Sequence, residues 1–320
     1  MAKKITVKTR LMMSVVITFV AMIMMLFFFN YSISSLQRLY LGLELNEHVE
    51  NVILKLRKDE KDFITIKDKK YLGQFETKFI ELEKSVDEFE IILDDVGIKT
   101  DELKILKKLL ASYRDLFHQL VEIQEEIGLD SDSGLTGTLR ASVHRVEEVL
   151  EIKKDLRLTN NLLMLRRYEK DFILRSDLKY LELFKTEIAK FKINLIRNRD
   201  LEQRENKKLS LLIESYKQDF LNLADGNRKK GLTYNKGILG ELRKVSHESE
   251  EILEKLETKI HDALTQNISA KRANATVISV VFIIAFALFN SAVMLRSILV
   301  DWSRQSLIEI KKSKPKGRET

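Results

Sequence analysis

The sequence predicts an all-α protein: a duplicated helical domain carried between two apolar segments long enough to cross a membrane. Three observations point there. The 320-residue chain has one proline, Pro315, and only 11 glycines, while charged residues make up 32%. A chain so poor in helix breakers and so rich in Leu, Ile, Glu and Lys reads as long helices. The phrase LRKDEKDFITIKDKKYL, beginning at Leu56, returns as LRRYEKDFILRSDLKYL from Leu165, identical at 11 of 17 positions with an offset of 109. Uncharged runs stand near both ends, at 11–29 and 276–295.

The N-terminal ten residues carry Lys3, Lys4, Lys8 and Arg10 and no acid. The 19 residues that follow, 11–29, hold no charge, about the length that spans a hydrocarbon core of ~30 Å at 1.5 Å per helical residue. That run is too long for the apolar part of a signal peptide, and NYSISSLQRLY after it offers no small-x-small cleavage site, so an uncleaved anchor is expected. The second run, 276–295, is followed by seven Lys/Arg against three acids. Positive flanks on the outer side of both runs place both termini in the cytoplasm and residues 30–275 outside, periplasmic in an inner membrane. The net charge of +7 therefore collects at the two ends, four charges in 1–29 and four in 276–320, which leaves the middle near −1. That distribution points to a membrane and away from nucleic acid. With no cysteine, neither disulfides nor thiol chemistry contribute.

Between the spans, Leu45, Val49, Val52, Leu56 and Phe63 keep heptad-like spacing, and Leu158, Leu162, Leu165 and Phe172 repeat the stripe. Breaks are expected at 66–70, 94–102, 128–137, 197–200 and 224–231, with Asp101, Ser133 or Thr136, and Asn235 as caps near helix starts. Apolar stripes on helices of this length need partner helices, so antiparallel bundles follow. A second repeated phrase pairs GLTGTLRASVHRVEEVL at Gly134 with GILGELRKVSHESEEIL at Gly237, at an offset of 103. Two related units result, about 30–136 and 137–275, each the size of a small helical domain. Two units suggest two bundles, and helices long enough to run through both would stack them end to end.

An outward helical domain of this length between two spans, carrying LR-x-x-EKDF, LLMLRRYEKDFILR and GLTGTLR-x-x-x-H-x-x-EE, resembles the helical bimodular sensor domain of bacterial chemoreceptors, the methyl-accepting chemotaxis proteins. The resemblance covers residues 30–275. It implies two stacked four-helix bundles that share long helices, a homodimer, and binding of small organic acids in either module. After Leu295 only 25 residues remain. Their start, Arg296-Ser297-Ile298-Leu299, looks like the beginning of a HAMP helix without its usual proline. A HAMP domain and a signalling coiled coil do not fit in that length, so the chain resembles the sensory region of a receptor without its cytoplasmic part.

Five arginines are the candidate ligand contacts: Arg57, Arg166 and Arg167 beside the EKDF phrase, and Arg140 and Arg243 in the glycine phrase. A guanidinium grips a carboxylate bidentately, which suits small organic acids. The shared Glu60/Glu169, Lys61/Lys170 and Asp62/Asp171 read as structural pairing, and Phe63, Phe172, Tyr71 and Tyr180 as packing. His144 and His247 each precede a Glu by three residues, which reads as a hydrogen-bonded pair and not a metal site. No nucleophile elbow, phosphate loop or zinc motif is present, and neither enzymatic activity nor a cofactor is expected. The expected function is the membrane-anchored sensory module of a chemotaxis receptor, taking a small organic acid or a periplasmic binding protein as partner. Two other readings stay open: a stand-alone membrane-tethered interaction protein, and the sensor portion of a histidine kinase or cyclase.

Overall fold

A computed structural model describes residues 7–99 and 101–312, apart from a number of side chains in the first and last helices. The expected flank at 1–6 and the end of the basic tail, 313–320, lie outside the described residues. The described residues form α1 (Val7–Ile66), α2 (Lys70–Asp95), α3 (Asp101–Ile127), α4 (Gly134–Lys153), α5 (Leu156–Arg175), α6 (Lys179–Arg197), α7 (Gln203–Lys230) and α8 (Gly237–Lys312), with no strand among them. The protein is all-α.

Two compact units divide the chain. One comprises Met1–Leu43, Asp95–Ile98 and Thr258–Thr320. Within it, Thr276–Arg296 has a mean hydropathy of 2.5 and none of it is buried, so by length and composition it is able to cross a membrane. Val15–Phe27, inside the expected 11–29 span, is a shorter apolar stretch among the described residues; the side chains of Leu11, Phe28 and Phe29 at its borders lie outside them. Arg38 pairs with Asp95 in the same unit.

The other unit, Glu44–Asp94 and Lys99–Glu257, carries the duplication. Here α4 packs on α7, α5 on α6, α6 on α7 and α4 on α5, closing a ring of four helices. Its core is built from Val143, Leu162, Leu165, Phe172, Phe184, Phe191, Tyr216 and Phe220, all at most 3% exposed. A second group joins the lower part of α1 with α2, α3 and the start of α8. Lys78 of α2 reaches Asp59 of α1 at 2.5 Å, Arg114 of α3 pairs with Glu76 of α2, and Arg57 of α1 pairs with Glu250 of α8. Each fully buried aromatic ring in these cores removes apolar area worth ~2–3 kcal/mol.

Packing does not follow the repeat along the chain. The helix after the first glycine phrase, α4, completes the ring with α5–α7, whereas the helix after the second, α8, returns to pair with α1. The two groups meet where α3 touches α4 and α7. At that junction the Thr136 hydroxyl donates to the Ile127 carbonyl at 2.8 Å, and Lys230 Nζ donates to Gln124 Oε1 at 3.1 Å.

The repeated phrases become repeated backbone. Lys67 and Ser176 adopt left-handed φ of 58° and 50°, and their N–H groups close α1 and α5 on the Phe63 and Phe172 carbonyls. Asp68 and Asp177 then accept from the N–H of Lys70 and Lys179, each at 2.9 Å, which starts α2 and α6. Gly134 and Gly237 both sit at φ 59°, where a Cβ would meet the Glu126 or Lys229 carbonyl within 2.5 Å. The expected break at 224–231 falls later: α7 continues through Lys230 and Gly231 ends it. Sequence reading misses the break at Ser176 and the break at Lys154, where a left-handed residue closes α4 and the Asp155 side chain caps α5. Ser133 stands at the N-cap of α4, but its hydroxyl turns back to accept from Leu129 and Asp130 in the preceding loop.

Candidate functional site

The EKDF phrase folds the same way twice. Phe63 meets Phe117 edge-on at 5.8 Å between ring centroids, and Phe172 meets Phe220 edge-on at 5.5 Å. Phe75 lies 4.1 Å from Phe117, and Phe184 lies 4.2 Å from Phe220. Above each aromatic cluster a Tyr hydroxyl donates to the phrase's Glu: Tyr113 to Glu60, and Tyr216 to Glu169. Burial is the larger influence on both carboxyls and raises them above their ordinary value, against the Tyr hydrogen bond and the neighbouring arginine. The same burial, with the Glu beside it, pushes both tyrosines well up. The phrase therefore builds a buried Glu/Tyr pair on an aromatic cluster, once per repeat. Sequence reading did not find the tyrosines, although SYRDLF at Ser112 and SYKQDF at Ser215 repeat at the offset of the second phrase.

The candidate arginines fall into equivalent pairs. Arg57 pairs with Glu250, and its counterpart Arg166 lies 3.7 Å from Glu147. Those two glutamates are the ones that His247 and His144 approach, His144 Nδ1 at 2.7 Å and His247 Nδ1 at 3.7 Å. Arg140 Nη1 donates to Asp132 Oδ1 at 2.9 Å, and Arg243 Nη1 donates to Asn235 Oδ1 at 2.9 Å. Arg167 is exposed and only loosely paired, 3.9 Å from Asp171.

The structure brings two of the five arginines to one cleft. Between α1 and the start of α8 lies a cavity of about 540 Å³, lined by Arg57, Glu60, Lys61, Arg243, Tyr234 and Ser246 among others. That volume falls in the range of small-molecule sites. Arg166 and Arg167 share a separate, open depression on α5 and α6 with Tyr168 and Tyr180. Arg140 belongs to neither lining and is held by Asp132 and the Ser131 hydroxyl.

In the cleft, Arg57 is matched by Glu250, whereas Arg243 donates to the neutral amide of Asn235. Lys61 adds a third cation. Ser246 is 5% exposed, and its hydroxyl has no hydrogen-bond partner among the described residues. Among the described residues no cluster of His, Asp and Glu is arranged to hold a metal. Two guanidiniums and an ammonium line one concave, partly apolar space, an arrangement chemically suited to an anion. Comparison of the chain with protein-family models, curated proteins and solved structures finds no match in any of the three.

Proposed function

We propose that this protein is a membrane-anchored sensory module that binds a small organic anion in the Arg57/Arg243 cleft and passes a conformational signal across the membrane. In this reading two four-helix bundles, α1–α2–α3–α8 and α4–α5–α6–α7, stand end to end and share long helices outside the membrane. The segments at 11–29 and 276–295 are its two spans. The observation that carries the reading is that Arg57, Lys61 and Arg243 line one cavity. The membrane assignment is supported by the exposed, strongly apolar Thr276–Arg296. Helix α8 contributes Arg243 and Ser246 to the cleft and also carries that apolar segment, so a shift of α8 on ligand binding is the simplest route for a signal.

The role as the sensory region of a chemoreceptor rests on the resemblance of the doubled phrases to the helical bimodular domain. Its test is thermal unfolding of the full chain in detergent with a panel of small organic acids. A ligand of the folded state adds about 2.7 kcal/mol at one hundred times its Kd, and Arg243→Glu should abolish the shift. If no acid moves the melting temperature, anion sensing at this cleft is wrong.

A further inference from the structure

We propose that the exposed face of the α5–α6 pair is a docking surface for an acidic protein, one that sets carboxylates on either side of an aliphatic ridge. The proposal concerns a different surface from the Arg57/Arg243 cleft and stands whether or not that cleft takes an anion.

The duplication supplies the first ground. Core positions are kept between α2 and α6: Phe75, Leu82 and Val86 recur as Phe184, Phe191 and Leu195, all buried. Between them the charge is reversed. Glu76, Glu81, Glu83 and Glu88 stand where α6 has Lys185, Lys190, Lys192 and Arg197, at the offset of 109 that joins the EKDF phrases. Helix α2 carries eight acids and three lysines, whereas α6 carries five cations and two acids. The same packing is built with either sign on this helix, so the fold does not require the positive one.

The second ground is that the positive charge is poorly matched within the chain. Helices α5 and α6 together hold ten cations, and of their four acids Glu169 and Glu187 are buried. Asp171 is shared by Arg167 and Arg175, and Lys192 pairs with Glu214 of α7. Arg157, Lys170 and Arg197 make no ion pair among the described residues.

Apolar surface accompanies that charge. Leu163, Arg167, Lys170 and Leu174 follow one another at helical spacing on α5, and the two leucines are 61% and 79% exposed. Leu163 and Leu183 also line the open depression on α5 and α6, with the rings of Tyr168 and Tyr180. Exposed leucines beside Tyr and Arg are the composition of a protein interface. A bilayer is flat and meets projecting side chains, whereas a concavity lined by Leu and Tyr takes a protruding helix or loop. A second copy fits badly. Two chains anchored side by side about an axis along the membrane normal would set Arg167 and Lys170 against their own counterparts. About 30 Å of helix and two helix widths give on the order of 600 Å² on one side, the scale of a transient contact.

Fluorescence anisotropy of two synthetic helical peptides with the full chain in neutral detergent micelles tests this. Both peptides share one leucine ridge, flanked by glutamates in one and by lysines in the other. The glutamate peptide is expected to bind at least about tenfold more tightly, a gap of about 1.4 kcal/mol, and to weaken as salt is added. Arg167→Glu/Lys170→Glu should cost at least about tenfold, while Lys104→Glu/Lys108→Glu, the same change on exposed α3, should stay within about twofold. Leu163→Ser should weaken binding severalfold with the melting temperature unmoved. Equal binding of the two peptides, or equal losses in the two double variants, overturns the proposal. Sedimentation of the chain, held in nanodiscs of neutral lipid, with phosphatidylglycerol vesicles but no binding of the glutamate peptide also overturns it, and assigns the face to lipid. The wild-type preference and Leu163→Ser decide the question if a charge reversal fails to fold. Anion binding at the cleft is read separately, by the thermal shift with organic acids.

Discussion

Arg140 and Arg243 occupy the same place in two copies of one phrase, yet Arg140 is bonded to the carboxylate of Asp132 and Arg243 to the amide of Asn235. Around them, Ser131, Thr136 and Val143 of the first copy stand where the second has Tyr234, Leu239 and Ser246. The aromatic clusters and the Glu/Tyr pairs, by contrast, are nearly superimposable in their distances. The comparison separates what holds each repeat together, which is kept in both, from what shapes the cleft, which differs.

If the clusters are equivalent supports, they should fail alike. Phe117→Ala and Phe220→Ala each remove a ring that is packed against two others, and each should cost ~3–5 kcal/mol in denaturant unfolding of the full chain. A large loss at one and none at the other would break the equivalence. The Glu/Tyr pairs should separate the repeats more finely. Glu169 is 7% exposed, whereas Glu60 borders the cleft and water can reach it. Tyr216→Phe should therefore cost ~1–3 kcal/mol at neutral pH, the penalty for stranding a buried acceptor, and more than Tyr113→Phe.

A smaller effect concerns pH. Because burial raises Glu169 in the folded state, that state holds the proton more tightly than the unfolded chain does. The associated stability is fully present below the ordinary carboxylate value and is lost as pH rises through the raised folded value. Glu169→Gln keeps an acceptor for the Tyr216 hydroxyl and removes the ionisation. Its unfolding midpoint should fall less steeply than that of the parent between acid and mildly alkaline pH; parallel curves would refute the linkage. The smallest effect belongs to Asn235→Asp, which gives Arg243 the partner that Arg140 has. It should weaken anion binding about two- to fivefold, the size of an exposed ion pair, with the melting temperature unmoved.

Much of this was legible along the chain. The helices, the duplication, the break at Lys67, the glycine turns and the apolar run at 276–295 follow from local patterns: period, breakers, left-handed positions and unbroken apolar length, whereas the breaks at Lys154 and Ser176 were not expected. The five arginines could be named for their chemistry, but not sorted. Tyr113 and Tyr216, 53 and 47 residues from the glutamates they bond, could be paired with them only in space.

The sequence by itself determined an all-α chain of two related units, because helix formation and chain reversal depend on residues a few positions apart. Only the tertiary structure decided which helices share a core. Helix α4 closes its ring with α5–α7, and α8 returns across the length of the chain to α1. That long-range choice buries the apolar stripes of both groups. It also sets Arg243 beside Arg57, 186 positions apart in the chain, and leaves Arg140 in a local ion pair. Periodicity says that a stripe needs a partner; which partner it meets is settled by the closure of the whole core.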